Sequence, residues 1–172
     1  MVENTSQMFI TGPQVIKTVT GEAFCKLGKD IKNYAYESMW SEETKDVNGV
    51  YDVDDSVTGL IRTSGHVISF NGAWAQNIGD RDCYIDFLGT KAGIRLNYCS
   101  NFRIFGVKNG MLYENEVKAK ETDMYENEIN DFIECCKNGN HNRAHIDNAV
   151  LTSKILQAIY DSSDLHKEVE VK

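Results

Sequence analysis

Between Cys25 and Tyr51 the chain carries four side chains of the kind that line pockets for polar substrates. Lys26 offers a cationic donor, Tyr34 and Tyr36 offer hydroxyls on flat rings, and Trp40 offers a stacking face with one N–H. The same aromatics could instead cover a sheet edge or a subunit contact, and both readings stay open. His141 and His145, four residues apart, could turn two imidazoles toward a metal from one helix face. Asn138-Gly139-Asn140 stops a helix just before them, however, and no Glu or Cys completes a ligand set, so no metal site is expected. His66, beside a hairpin turn, and His166, near the end of the chain, read as solvated. Cys135 and Cys136 point about 100° apart on a helix and form no C-x-x-C clamp; they read as ordinary helix residues, with Cys136 on the buried face.

The motifs of cofactor chemistry are missing. No G-x-G-x-x-G occurs, so no glycine turn lets a backbone approach a pyrophosphate at a helix N-terminus. There is no P-loop, and Gly106 and Gly110 bracket a hairpin turn. No G-x-S-x-G elbow marks a nucleophile. Neither a catalytic nor a cofactor-binding residue is therefore assigned.

The elements that must hold Lys26 and the aromatics follow from periodicity. Val15 to Thr20, rich in β-branched residues after Gly12-Pro13, predicts a first strand, with Met8 to Ile10 as the last turn of a preceding helix. Val57 to Thr63 and Val67 to Ala75 around Ser64-Gly65 predict a hairpin, with Ile68, Phe70 and Trp74 on one face. Strands follow at Cys83 to Leu88 and Ile94 to Tyr98, and Asn109-Gly110 predicts a second hairpin. The period then changes from two to about 3.6. Tyr125, Ile129, Phe132, Ile133 and Cys136 mark the inner face of one helix, capped by Asp123 and ended by Asn138-Gly139. Asp147 to Ser162 predicts a second helix buried on much of its surface, and Glu168 to Val171 a terminal strand. The expected fold is α+β: one open, mainly antiparallel sheet with helices on one face.

With 172 residues the chain is long enough for one domain, taken as 1–172. A net charge of -8 with scattered basic residues gives no footprint for phosphate backbones, so nucleic acid is not an expected partner. No apolar run approaches the ~20 residues that span a bilayer. MVENTSQMF carries no cationic stretch followed by an apolar core. Five cysteines, an odd and unpatterned set, read as thiols without disulfides, and the expected compartment is the cytoplasm.

Several short stretches, in this order and spacing, are more specific together than singly. They are Gly12-Pro13 leading into the first strand, Cys25-Lys26-Leu27-Gly28 after it, and Val53-Asp54-Asp55-Ser56 before the hairpin. Ala73-Trp74-Ala75, Leu88-Gly89-Thr90-Lys91-Ala92-Gly93-Ile94 and the ending Leu156 to Ser163 continue the series. In these the chain resembles the C-terminal domain of the glucose-fructose oxidoreductase / inositol dehydrogenase superfamily over nearly its whole length. The resemblance implies an open antiparallel sheet and NAD or NADP bound by a separate Rossmann domain. It also implies a sugar, polyol or related hydroxy compound as substrate, and a sheet face that meets a neighbouring subunit. The Glu-Lys-Pro and D-x-G-x-H-x-x-D motifs of that superfamily are not in this sequence, which implies a domain inactive by itself. The alternative is a stand-alone binding or assembly module without catalysis. If Ile68, Phe70 and Trp74 face the helices, the opposite face presents Val67, Ser69, Asn71, Ala73 and Ala75, flat and small-chained, as the surface for a homodimer or higher oligomer.

Overall fold

A computed structural model describes residues 15–29, 49–73, 83–97, 101–118, 122–142 and 144–172. Among them are eight strands and two helices: β1 Ile16–Phe24, β2 Ser56–Thr63, β3 Val67–Ala73, β4 Tyr84–Leu88, β5 Ala92–Asn97, β6 Phe102–Lys108, β7 Met111–Val117, α1 Met124–Asn138, α2 Ile146–Leu165 and β8 Val169–Glu170. The fold is α+β and every strand pairing is antiparallel. The strands form two four-stranded sheets, β3-β2-β1-β8 and β4-β5-β6-β7, where a single sheet was expected. The described residues fall into two compact units, one drawn from Met1–Asn77 and Ile146–Lys172, the other from Ile78–His145. The turn before Gly12, Trp74 and Tyr98 lie outside the described residues.

In the first unit, β-branched residues alternate along β1 to β3 and their inner face meets α2. Val19 stands opposite Ile61, and Ile61 opposite Ile68. This row of three packs on Ile155, Ala158 and Ile159 to form the core. In the next row Gly21 faces Gly59, which faces Phe70. A Cβ on Gly59 would fall 2.3 Å from the Thr20 carbonyl oxygen and 2.7 Å from the tip of the Phe70 ring, so only glycine lets that ring lie across the sheet. Ile68 and Phe70 thus share a face, as their spacing indicated, and that face meets the helix. The register of β2 and β3 is held at the turn by the Thr63 hydroxyl. It accepts from the N–H groups of Gly65 (3.1 Å) and His66 (2.9 Å).

Helix α2 is covered on one stripe only, Ile155, Ala158, Ile159 and Ser162, while Val150 and Tyr160 are each 48% exposed. The broader burial expected from its apolar content is corrected: one helix on a four-stranded sheet has one face to bury.

In the second unit, cross-strand register puts apolar residues on one face. Ile85, Leu96 and Phe102 form one row, and Phe87, Ile94 and Ile104 the next. The opposite face carries charged residues, with Leu88, Phe105, Val107 and Leu112 toward one end. There the Arg95 guanidinium makes two bonds to the Asp86 carboxylate, 2.7 and 2.6 Å, and lies 4.4 Å from the Tyr84 ring centroid, and Arg103 bonds Glu114 at 3.0 Å. Asn109 and Gly110, both at positive φ (53° and 75°), make the turn between β6 and β7.

Helix α1 begins where expected, with the Asp123 carboxylate accepting from the N–H groups of Tyr125 and Glu126, and ends where Gly139 (φ 67°) donates to the Cys135 carbonyl. Its apolar stripe is not buried, however, with Ile129 and Phe132 59% and 61% exposed. Cys135 is also the more covered of the two cysteines, and Cys136 is exposed. Both findings correct the expected inner face. None of the described residues of this second unit is fully buried.

Candidate functional site

A buried polar site lies where β1 ends and β2 begins. Phe24 pairs with Ser56, and the chain between them makes the long excursion that carries the four pocket candidates. Its root is pinned by Asp55, which is 2% exposed. The Asp55 Oδ2 accepts from the backbone N–H of Lys26 at 2.6 Å and of Gly28 at 3.0 Å, and its Oδ1 from the Ser56 hydroxyl at 3.0 Å. Its own N–H donates to the Phe24 carbonyl at 2.8 Å. Burial pushes the Asp55 carboxyl pKa up, but hydrogen bonds from Gly28, Ser56, Lys26 and Leu27 outweigh it and hold the group below its ordinary value. Gly28 is required for a second reason. The Tyr51 ring occupies the space where a Cβ would stand, its nearest carbon at 2.0 Å, so the two ends of the excursion are stacked on each other. Asp55, Gly28 and Tyr51 were not singled out from sequence as site residues. The signal was a triplet of acidic residues, Asp52, Asp54 and Asp55, of which only Asp55 is buried.

Of the four pocket candidates, Lys26 is exposed, two residues past the end of β1, with its backbone held by Asp55. Tyr34, Tyr36 and Trp40 lie outside the described residues. A shallow depression lined by Phe24, Ser56, Val57, Thr58 and Asn71 opens at the same end of the sheet. Of the interface candidates, Val67, Ser69, Asn71 and Ala73 are all exposed on β3, opposite the helix, and Ala75 lies outside the described residues.

The rings of His141 and His145 lie with centroids 4.0 Å apart and their planes tilted by 45°. Among the described residues no three or more His, Cys, Asp or Glu stand close enough to hold a metal. With every pairing antiparallel, no parallel strand–helix–strand crossover among the described residues aims a helix N-terminus at a pyrophosphate. Among the described residues no helix is long and apolar enough to cross a membrane.

No family model matches the sequence. One curated protein, the methylmalonyl-CoA decarboxylase alpha subunit of Propionigenium modestum, is 91% identical over 22 residues, which is 13% of this chain and 4% of that protein. Solved structures align over almost the whole chain. An oxidoreductase domain protein from Kribbella flavida matches with a TM-score of 0.74 at 16% identity, over 96% of this chain and 48% of its own. The aldose-aldose oxidoreductase of Caulobacter crescentus, complexed with glycerol, matches with a TM-score of 0.70 at 13% identity, over 97% and 44%. A levoglucosan dehydrogenase in complex with NADH and L-sorbose matches with a TM-score of 0.68 at 18% identity, over 92% and 45%. The chain spans slightly less than half the length of these oxidoreductases. Its fold is one that it shares with part of each of these oxidoreductases.

Proposed function

We propose that the chain is the substrate-side and assembly domain of a nicotinamide-dependent oxidoreductase acting on a sugar, polyol or related hydroxy compound, with the nucleotide bound by a separate Rossmann domain. The observation that carries this reading is coverage: nearly all of this chain corresponds to under half of each matching oxidoreductase, one of which holds NADH and L-sorbose. The absence of G-x-G-x-x-G from the sequence agrees with it. On this reading Lys26 lies on the substrate side, carried on a backbone fixed by Asp55. The aromatics of the excursion, Tyr34, Tyr36 and Trp40, complete the pocket. A cytoplasmic location fits, since Cys25, Cys83, Cys135 and Cys136 form no disulfides. The test is an assay of the native protein that carries this chain, following nicotinamide reduction against a panel of sugars and polyols. Turnover with any of them supports the proposal, and no turnover with either NAD or NADP across the panel counts against it.

A second property, self-association through a sheet face, is favoured by the lack of buried residues among the described residues of the second unit. Half-covered Ile85, Phe87, Ile94, Leu96 and Ile104 form an apolar surface of the kind that another sheet would cover at ~10 Å. On the first sheet the outward residues of β3, Val67, Ser69, Asn71 and Ala73, are small and flat enough to pair about a two-fold axis. If assembly were the whole of the function, the chain would be a binding module without catalysis, and the same assay separates the two.

A further inference from the structure

Asp55 and Ser162 are the buried polar side chains among the described residues, and Asp55 is the one that carries charge. A carboxylate taken from water costs several kcal/mol unless its oxygens are met by donors, so a buried one is a feature to be explained. An anchor between two strand ends needs no charge, and neighbouring Ser56 has a hydroxyl that could bond backbone without one. The carboxylate meets three donors at once, the N–H groups of Lys26 and Gly28 on one oxygen and the Ser56 hydroxyl on the other, where a hydroxyl oxygen has two lone pairs. Lys26 is thus clamped on both sides. Before it, Phe24 is locked in the ladder to Ser56; after it, Gly28 is held by Asp55 and covered by Tyr51. An exposed lysine ordinarily sits on a loop whose backbone bonds only to water, but here the backbone on both sides of Lys26 is bonded to protein.

We propose that Asp55 is a positioning residue for Lys26: by gathering the Lys26 and Gly28 N–H groups on one carboxylate oxygen, it fixes the backbone from which the Lys26 ammonium is presented. The significance for substrate rests on the proposed function, but the anchoring is measurable without any substrate. Lys29, the other cation at this root, is exposed.

The test is amide hydrogen exchange on the full chain, with Asp55→Ala and Asp55→Asn. Charge-assisted bonds of this kind are worth enough that their loss should speed exchange at Lys26 and Gly28 by roughly tenfold or more. Val19 and Ile61, in the core, should exchange at the original rate. Added sodium formate should restore slow exchange at Lys26 and Gly28 in Asp55→Ala, and sodium chloride at the same ionic strength should not. A role in overall stability alone would speed exchange everywhere and would not respond to formate, which would overturn the proposal. Should Asp55→Ala fail to fold, Asp55→Asn gives the same reading: faster exchange confined to Lys26 and Gly28 supports the anchor, and rates within twofold of the parent refute it. If the anchor is present and Lys26→Ala nonetheless leaves kcat/KM of the native enzyme unchanged, the substrate-side reading of Lys26 fails while the positioning stands.

Discussion

The hydroxyl of Ser162, near the end of α2, accepts a hydrogen bond from the backbone N–H of Gly21 on β1 at 3.0 Å, and donates to the Lys167 carbonyl at 2.6 Å. Strand β8 pairs with β1 only at Thr18 and Val19, so the edge of β1 beyond them has donors that no strand meets. Ser162 satisfies the first, and Ser163 the second by accepting from the Ala23 N–H at 3.0 Å. Ser162→Ala should therefore destabilise the fold by about 1–3 kcal/mol, the cost of a buried donor left without a partner. Ser163→Ala, at a partly exposed edge that water can reach, should cost less. Urea unfolding of both variants measures the difference.

Gly59→Ala should destabilise by about 1–3 kcal/mol or more, since its methyl group would meet the Thr20 carbonyl and the Phe70 ring at once. Pairing with Phe70→Leu relieves only the ring contact, so the double variant should recover part of the loss. Thermal unfolding of the single and double variants checks both statements.

Acid should loosen the root of the excursion. The Asp55 carboxyl has a folded pKa below its ordinary 3.8. Its contribution to stability is therefore complete above the unfolded value and is lost as pH falls through the folded one. The parent chain should lose stability below about pH 4 more steeply than Asp55→Asn, which has no proton to take up there. Urea midpoints at neutral pH and at about pH 3 test this; equal losses in the two proteins would assign the acid sensitivity to other carboxylates, of which Asp86, lowered by its bonds to Arg95, is one.

Self-association should be seen by light scattering coupled to gel filtration at tens of micromolar protein. A mass above that of the 19.4 kDa monomer is expected. Ala73→Arg restoring the monomer would locate the contact on β3, and Leu96→Arg doing so would locate it on the second sheet. A clean monomer for the parent chain contradicts sheet-mediated assembly.

Strand and helix placement was legible because each element states its own period. The Asn109-Gly110 turn, the Asp123 cap and the Gly139 stop follow from single residues with one conformational use. Alternation placed Ile68 and Phe70 on one face, and that face is the one packed on the helix. Burial of α1 was not legible, since an apolar stripe tells which face seeks a partner and not whether one is present. Nor was the division into two sheets, because each strand sequence is compatible with either neighbour. Asp55 was hidden among three similar acidic residues, and its distinction is geometric: it alone stands where the Lys26 and Gly28 N–H groups converge.

If Lys26 works on the substrate side, Lys26→Ala in the native enzyme should raise KM or lower kcat, and Trp40→Ala should act in the same sense. Values of kcat/KM within twofold of the parent for both would make the excursion a structural cover.

The proposed division of labour between this chain and a nucleotide-binding domain is tested by one titration, of reduced nicotinamide cofactor followed by its fluorescence. It is carried out side by side on the 172-residue chain and on the native protein that contains it. Saturable binding of NADH or NADPH to the native protein, with a flat titration for the chain alone, is the expected result. A micromolar dissociation constant for the chain alone, or no binding by the native protein, would contradict the assignment.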